Sequence, residues 1–223
     1  MREVIQGDAL AWLEAAGVVA GASFVTSLPD FSELPGHLLE TWRPWFVDTA
    51  RRVLRATPDD GLSVFFQTDV IEDGTWVDKG HLVQCAADAE GVPLLFHRIS
   101  CRFRAGTPLM GRPGYSHLLA FSRGVKARKD RPRIDVIPDA GRMTWTRAIG
   151  LETCFDACRF VAEHTGSTRI IDPFCGHGTV LAVAEAMGFD AVGVELSKKR
   201  AQKARNLVLA AEELARVAKV GRR

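Results

Sequence analysis

RIIDPFCGHGTVLAVAEAMGFDAVGVELS, residues 169–197, decides the fold. Ile170 and Ile171 are β-branched and begin a short buried strand, which turns at Asp172-Pro173. Phe174-Cys175-Gly176-His177-Gly178-Thr179 follows. An apolar helix is predicted from Val180 to Met187, then a second strand from Ala191 to Val194 that ends on Glu195. The unit is strand, glycine turn, helix, strand, with a carboxylate at the tip of the second strand. Such a unit binds a nucleoside-containing ligand at the carboxyl ends of its strands. The glycines let the backbone come close to the ligand, and Glu195 is placed to take two ribose hydroxyls. The expected architecture is α/β, a mostly parallel sheet with helices on both faces.

A dinucleotide fingerprint needs G-x-G-x-x-G, with its third glycine inside the helix. Here Leu181 stands at that position, and an acidic residue, Asp172, precedes the turn. The run D-P-F-x-G-x-G-T, Asp172 to Thr179, resembles the S-adenosylmethionine site of class I methyltransferases, especially the nucleic-acid amino-methyltransferases. The resemblance implies that Asp172 meets the methionine amino group of S-adenosylmethionine and Glu195 holds its ribose. It also implies that Pro173, Phe174, Cys175, Gly176, Gly178, Thr179 and Leu196 surround the same cofactor.

Composition bounds the rest. The chain has 223 residues, 47% hydrophobic and 25% charged, which suits one compact domain with a full-sized core. Five cysteines at irregular spacing form no disulfide framework, so a reducing, cytoplasmic setting is expected. No apolar run approaches the ~20 residues of a membrane helix, and the opening MREVIQGD has no signal-peptide pattern. The net charge is only +2, so a nucleic-acid partner would need a local basic patch.

From the start, Glu3 to Gln6 reads as a strand running into Gly7-Asp8, then Ala9 to Ala16 as a helix. Ala22 to Thr26 reads as a buried strand ending in Ser27-Leu28-Pro29-Asp30. This opening is similar to that of permuted, β-class amino-methyltransferases, in which the strand ends in D/N/S-P-P-Y/F/W. The resemblance sets Ser27, Leu28, Pro29 and Asp30 on those four catalytic positions, and Asp8 near the cofactor's adenine. One proline and the aromatic of the family pattern are absent. The catalytic-looking loop stands at residue 27 and the cofactor motif at 172, which is the permuted order. One methyltransferase domain is expected: a catalytic-loop half over 1–124, a basic linker over 125–147 and a cofactor-binding half over 148–223.

Between these motifs the periodicities predict a helix from Leu38 to Ala56, a strand from Leu62 to Gln67 and a helix from Gly80 to Ala89. Trp42 and Trp45 fall on the apolar face of the first helix, where core packing outweighs base stacking. Strands Leu94 to Cys101 and Ser116 to Ser122 would form the sheet's antiparallel hairpin. His97, Arg98, Arg102, Arg112, Tyr115 and His117 gather around it. The arginines suit phosphate, which a guanidinium grips bidentately. Lys126, Arg128, Lys129, Arg131 and Arg133 form a basic loop, either solvated surface or a nucleic-acid footprint. Thr146 and Arg147 resemble the polar and basic residues that close over the cofactor's methionine end in the permuted family. Beyond them a helix is predicted from Leu151 to His164. Cys154 and Cys158 on it read as small buried residues, two ligands being too few for a metal. From Lys198 the tail reads as a helix with Ala201, Ala204, Leu207, Val208 and Ala211 as its apolar stripe.

The expected activity is S-adenosylmethionine-dependent methylation of a nucleobase nitrogen. Structured RNA, tRNA or rRNA, is the first reading, because the chain has little room for a separate target-recognition domain. DNA amino-methylation, a protein or small-molecule acceptor, and a non-catalytic RNA-interaction module that keeps the cofactor site are the alternatives. No metal and no membrane partner is expected. Substrate contacts are assigned to Phe31, His97, Arg98, Arg102, Tyr115, His117 and the basic loop. Asp30 reads two ways: a base in the acceptor pocket, or a turn former with Phe31 as the aromatic.

Overall fold

The computed structural model describes residues 1–34, 36, 38–127 and 134–220. Strands are β1 (Arg2–Gln6), β2 (Ala22–Thr26), β3 (Ser63–Gln67), β4 (Val70–Glu72), β5 (Thr75–Val77), β6 (Leu94–Cys101), β7 (Tyr115–Phe121), β8 (Val136–Ile137), β9 (Arg169–Asp172) and β10 (Asp190–Glu195). Helices are α1 (Ala9–Ala16), α2 (Leu39–Ala56), α3 (Lys79–Ala89), α4 (Leu151–His164), α5 (Thr179–Ala186), α6 (Lys198–Asn206) and α7 (Ala211–Val220). Among the described residues, eight strands form one sheet in the order β1-β10-β9-β2-β3-β7-β6-β8. Only β7 runs against the others, pairing antiparallel with β3 and β6.

Side-chain alternation builds two cores from these strands. Val25, Val64, Phe66, Leu118, Ala120 and Ile170 face α4, α5 and α6. Their neighbours Phe24, Phe65, Leu119, Phe121 and Ile171 face α1, α2 and α3. Both faces are therefore covered, as a largely parallel sheet requires. Trp42 is fully buried, at 0% exposure, against Phe46, which bears out its core role.

Three elements differ from the sequence reading. The polar stretch after β3 contains a hairpin, β4–β5, turned by Asp73 (φ 48°) and Gly74 (φ 71°). Two successive left-handed residues match the twist of a tight hairpin, and D-G was its unread signal. The two-residue strand β8 pairs with β6 at Ile99 and Ser100; it is too short to show a period. The tail helix breaks after Asn206. Leu207 takes an extended conformation (φ −66°, ψ 120°), Val208 turns outward to 79% exposure and Leu209 is buried instead. Glu213 then accepts a hydrogen bond from the Ala210 amide (2.7 Å), at the point where α7 restarts.

Candidate functional site

The carboxyl ends of β9 and β10 carry the two acids expected for the cofactor. Asp172 is buried, and burial pushes its carboxyl up to about 7. Its two donors, the Thr26 hydroxyl (2.7 Å) and the Phe174 amide (3.1 Å), both reach Oδ1, which leaves Oδ2 for a ligand. A buried carboxyl among neutral donors is a natural partner for an ammonium. Glu195 is likewise buried; the Ser197 amide (2.7 Å) and Arg200 Nε (3.2 Å) both meet its Oε1. The other oxygen is available to hydroxyls. Asp8 lies beside them at the end of β1, where Gly7 donates to the Glu195 carbonyl (3.2 Å). One Asp8 oxygen caps α1 through the Ala11 amide (2.8 Å). Pro173 and Cys175 are buried and Leu196 is exposed at the rim. Cys154 and Cys158 are fully buried, as small core residues.

The glycine turn has left-handed backbone at Gly176 (φ 54°) and Gly178 (φ 82°). The two glycines serve different neighbours. A Cβ at Gly176 would lie 3.0 Å from Trp145 Cζ2. A Cβ at Gly178 would lie 2.9 Å from the Cα of Ala204, so its missing side chain makes room for α6 rather than for a ligand.

Residues 142–148 lie over this turn. Trp145 stacks on His177 (centroids 4.3 Å apart), and the Thr144 and Thr179 hydroxyls are hydrogen-bonded. Arg147 pairs with Glu33 (3.0 Å), and Arg200 approaches the same carboxylate (3.9 Å). Glu33 thus ties the loop after β2 to residues on the far side of the glycine turn. Burial and the cations Lys203 and Arg200 hold the His177 imidazole below its usual pKa.

Next to this edge opens a cavity of about 370 Å³, where β2 and β3 end. Ser27, Leu28, Asp30, Phe31 and Glu33 line one side; Phe66, Thr68, Asp69 and Lys79 line another; Arg102, Arg112, Thr146 and Arg147 close it. The loop is held from beneath: Leu28 is buried, Trp42 Nε1 donates to the Pro29 carbonyl (3.2 Å), and Phe31 packs edge-on to Trp42. Asp30 caps the short 3-10 turn Phe31–Glu33, its Oδ1 accepting from the Ser32 amide (2.9 Å) and hydroxyl (2.6 Å). Its Oδ1 thus forms the turn, one of the two roles read for Asp30.

Several substrate assignments are corrected by position. Arg98 faces α4, where it pairs with buried Asp156 and lies over the Phe96 ring (4.1 Å). It shares its strand face with Phe96 and is not among the residues lining the cavity. His117 and His97 form a chain behind the cavity wall: Asp69 Oδ2 to His117 Nε2 (2.9 Å), then His117 Nδ1 to His97 Nε2 (2.8 Å). Tyr115 packs edge-on to His117 (centroids 5.4 Å apart) and does not line the cavity. Lys126 leaves β7 at the opposite edge of the sheet, next to Val125, which borders Asp59, Asp60 and His164. Arg128, Lys129, Arg131 and Arg133 lie outside the described residues.

The residues missed in the sequence are Asp69, Lys79, Glu33 and Trp145. Asp69 is buried, which works against its charge, yet the hydrogen bond and charge of His117, with hydrogen bonds from Trp76 and the Lys79 amide, hold its carboxyl below the usual range. Asp69, Asp78 and His117 bring potential ligand atoms within 4.8 Å of one another. Those atoms are engaged with each other and with the Lys79 and His81 amides. Glu33 had a readable signal, since D-x-x-E from Asp30 is a capping-box pattern.

No protein-family model matches the chain, and no curated protein sequence matches it significantly. Solved structures do. TTHA0409 from Thermus thermophilus, provisionally named a DNA modification methylase, is 21% identical with a TM-score of 0.70 over 97% of this chain and 95% of that one. The same protein complexed with S-adenosyl-L-methionine matches at 21% identity and a TM-score of 0.68, over 99% and 96% of the two chains. The cytosine-N4-specific PvuII DNA methyltransferase is 13% identical with a TM-score of 0.71, over 100% and 92%. The chain therefore has the fold of these proteins, a mostly parallel sheet covered by helices, as the sequence indicated.

Proposed function

We propose that this protein is an S-adenosylmethionine-dependent methyltransferase acting on an amino nitrogen of a DNA base. The observation that supports it best is the pairing of Asp172 and Glu195 on adjacent strand ends with the Ser27–Asp30 loop beside a cavity of base-accommodating size. The likeness to proteins named for DNA methylation favours DNA over the RNA reading drawn from the sequence. The cofactor fits the residues present: Asp172 Oδ2 for its ammonium and Glu195 Oε2 for its ribose.

When bound, S-adenosylmethionine supplies a sulfonium-borne methyl group for displacement by a nitrogen lone pair. The protein's part is positioning and exclusion of water. In this reading Ser27 orients the amino hydrogens, Phe31 packs against the base, and Arg102 and Arg112 hold the phosphates that flank it. Incubation with labelled cofactor, unmethylated plasmid DNA, total RNA and total protein tests the reading. Label should appear in DNA, and nucleoside digestion should find it on cytosine N4 or adenine N6. Label confined to RNA would restore the RNA reading; label in neither nucleic acid would end the proposal.

Asp30→Asn is expected to change the single-turnover methylation rate by less than about threefold, since Asn caps a helical turn as well as Asp does. A loss of about a hundredfold, concentrated near neutral pH, would return Asp30 to the role of base.

A further inference from the structure

Lys79 begins α3, with its backbone amide donating to Asp69 Oδ1 (2.8 Å). The residue is only 5% exposed, yet it lines the cavity beside the loop after β2. Its charge is felt by Asp30, Glu33, Asp69 and Arg102, all of which line the same cavity. The carboxylates among them have hydrogen-bond or ion-pair partners of their own, and only Asp30 keeps an oxygen, Oδ2, outside them. Asp30 caps its own turn, Glu33 pairs with Arg147, and Asp69 accepts from His117, Trp76 and the Lys79 amide. Among the described residues none forms an ion pair with the Lys79 ammonium. Burial accordingly lowers its pKa despite three acids nearby.

A buried cation without a partner is costly, and a well-packed methionine would serve the fold better. Lys79 is thus a donor group in want of an acceptor, at the wall of the cavity assigned above to the target base. We propose that Lys79 is a catalytic residue whose ammonium donates a hydrogen bond to the target base, at a ring nitrogen or carbonyl oxygen near the amino group. This rests on the nucleobase reading of the cavity. A base presenting an unprotonated ring nitrogen or a carbonyl there would be selected, and one presenting N–H would be rejected, because two donors would face each other.

The test compares wild type with Lys79→Met in the full chain. Thermal unfolding of the free proteins should show the variant melting about 2–4 °C higher, as expected when a buried unpaired charge is replaced by an apolar isostere. Calorimetry should give the same affinity for S-adenosylhomocysteine. Single-turnover methylation of unmethylated plasmid DNA should fall about ten- to a hundredfold, the range for a lost charged hydrogen bond. A lower melting temperature would mark Lys79 as a structural residue, and an unchanged rate would mark it as a bystander. Either result overturns the proposal while leaving the DNA reading intact. A wild type that methylates no nucleic acid overturns both.

Discussion

Asp172→Asn should weaken the affinity for S-adenosylmethionine about a hundredfold, the size expected when a charged hydrogen bond to an ammonium is lost in a buried site. The pH dependence should identify the cause. Burial pushes the Asp172 carboxyl up to about 7, so at neutral pH the free protein holds it about half protonated. An ammonium needs the carboxylate. Affinity should therefore fall as pH drops below 7, by up to about tenfold per pH unit, and level off above it. At pH 7 binding should release roughly half a proton, read by calorimetry in two buffers of different ionisation enthalpy. Stability runs the other way. An acid whose pKa is raised on folding favours the folded state fully below its unfolded pKa near 3.9, and loses that contribution as pH rises through about 7. Asp172→Asn should thus be the more stable protein at pH 8 and the weaker binder. An affinity constant flat between pH 6 and 8 would remove Asp172 from the ammonium's side.

Gly178→Val should cost about 3–5 kcal/mol of stability, combining a strained left-handed backbone with overpacking. The clash falls on backbone atoms: the Cα of Ala204 at 2.9 Å and its carbonyl oxygen at 3.0 Å, neither of which can rotate away. Helix α6 must move, and with it Arg200, which holds Glu195. The sequence suggested another reason, that a side chain at Gly178 would fill the ligand's space. The two reasons separate in the free protein. Helix displacement lowers the melting temperature by about 6–20 °C without any ligand present, whereas obstruction of a ligand would leave it unchanged.

What was legible in the sequence was periodic or left-handed. The alternation of apolar residues and the glycine turn after Ile171 placed β2, β9, β10 and the helices between them nearly to the residue. Roles that depend on which way a residue faces were harder. Arg98 follows Phe96 by two positions, so both must face α4, while His97 between them faces the other layer. The parity of a strand alone separates those two residues. Lys79 carried no such mark. It ends the polar run before the helix predicted from Gly80, and only the cavity beside the β2 loop gives it a purpose. Gly178 and Gly176 look equivalent in a motif, and their distinct neighbours arise from tertiary packing alone.

The position of β1 has a consequence for how the protein folds. Strand β1 pairs with β10 from Arg2↔Ala191 to Gln6↔Glu195, and Arg2 also donates to the carbonyls of Ala204 and Leu207 at the end of α6. Next in sequence, β2 pairs with β9 rather than with β1. Strand β1 and one side of β2 thus wait for partners more than 140 residues downstream, so long-range loop closure precedes completion of the sheet. Until β9 and β10 emerge, β1 and one side of β2 present open edges, the state most prone to pair with a neighbouring chain. The edge that carries Asp8, Asp172 and Glu195, residues far apart in the sequence, is assembled late, and a ligand that bridged them would draw the final closure forward.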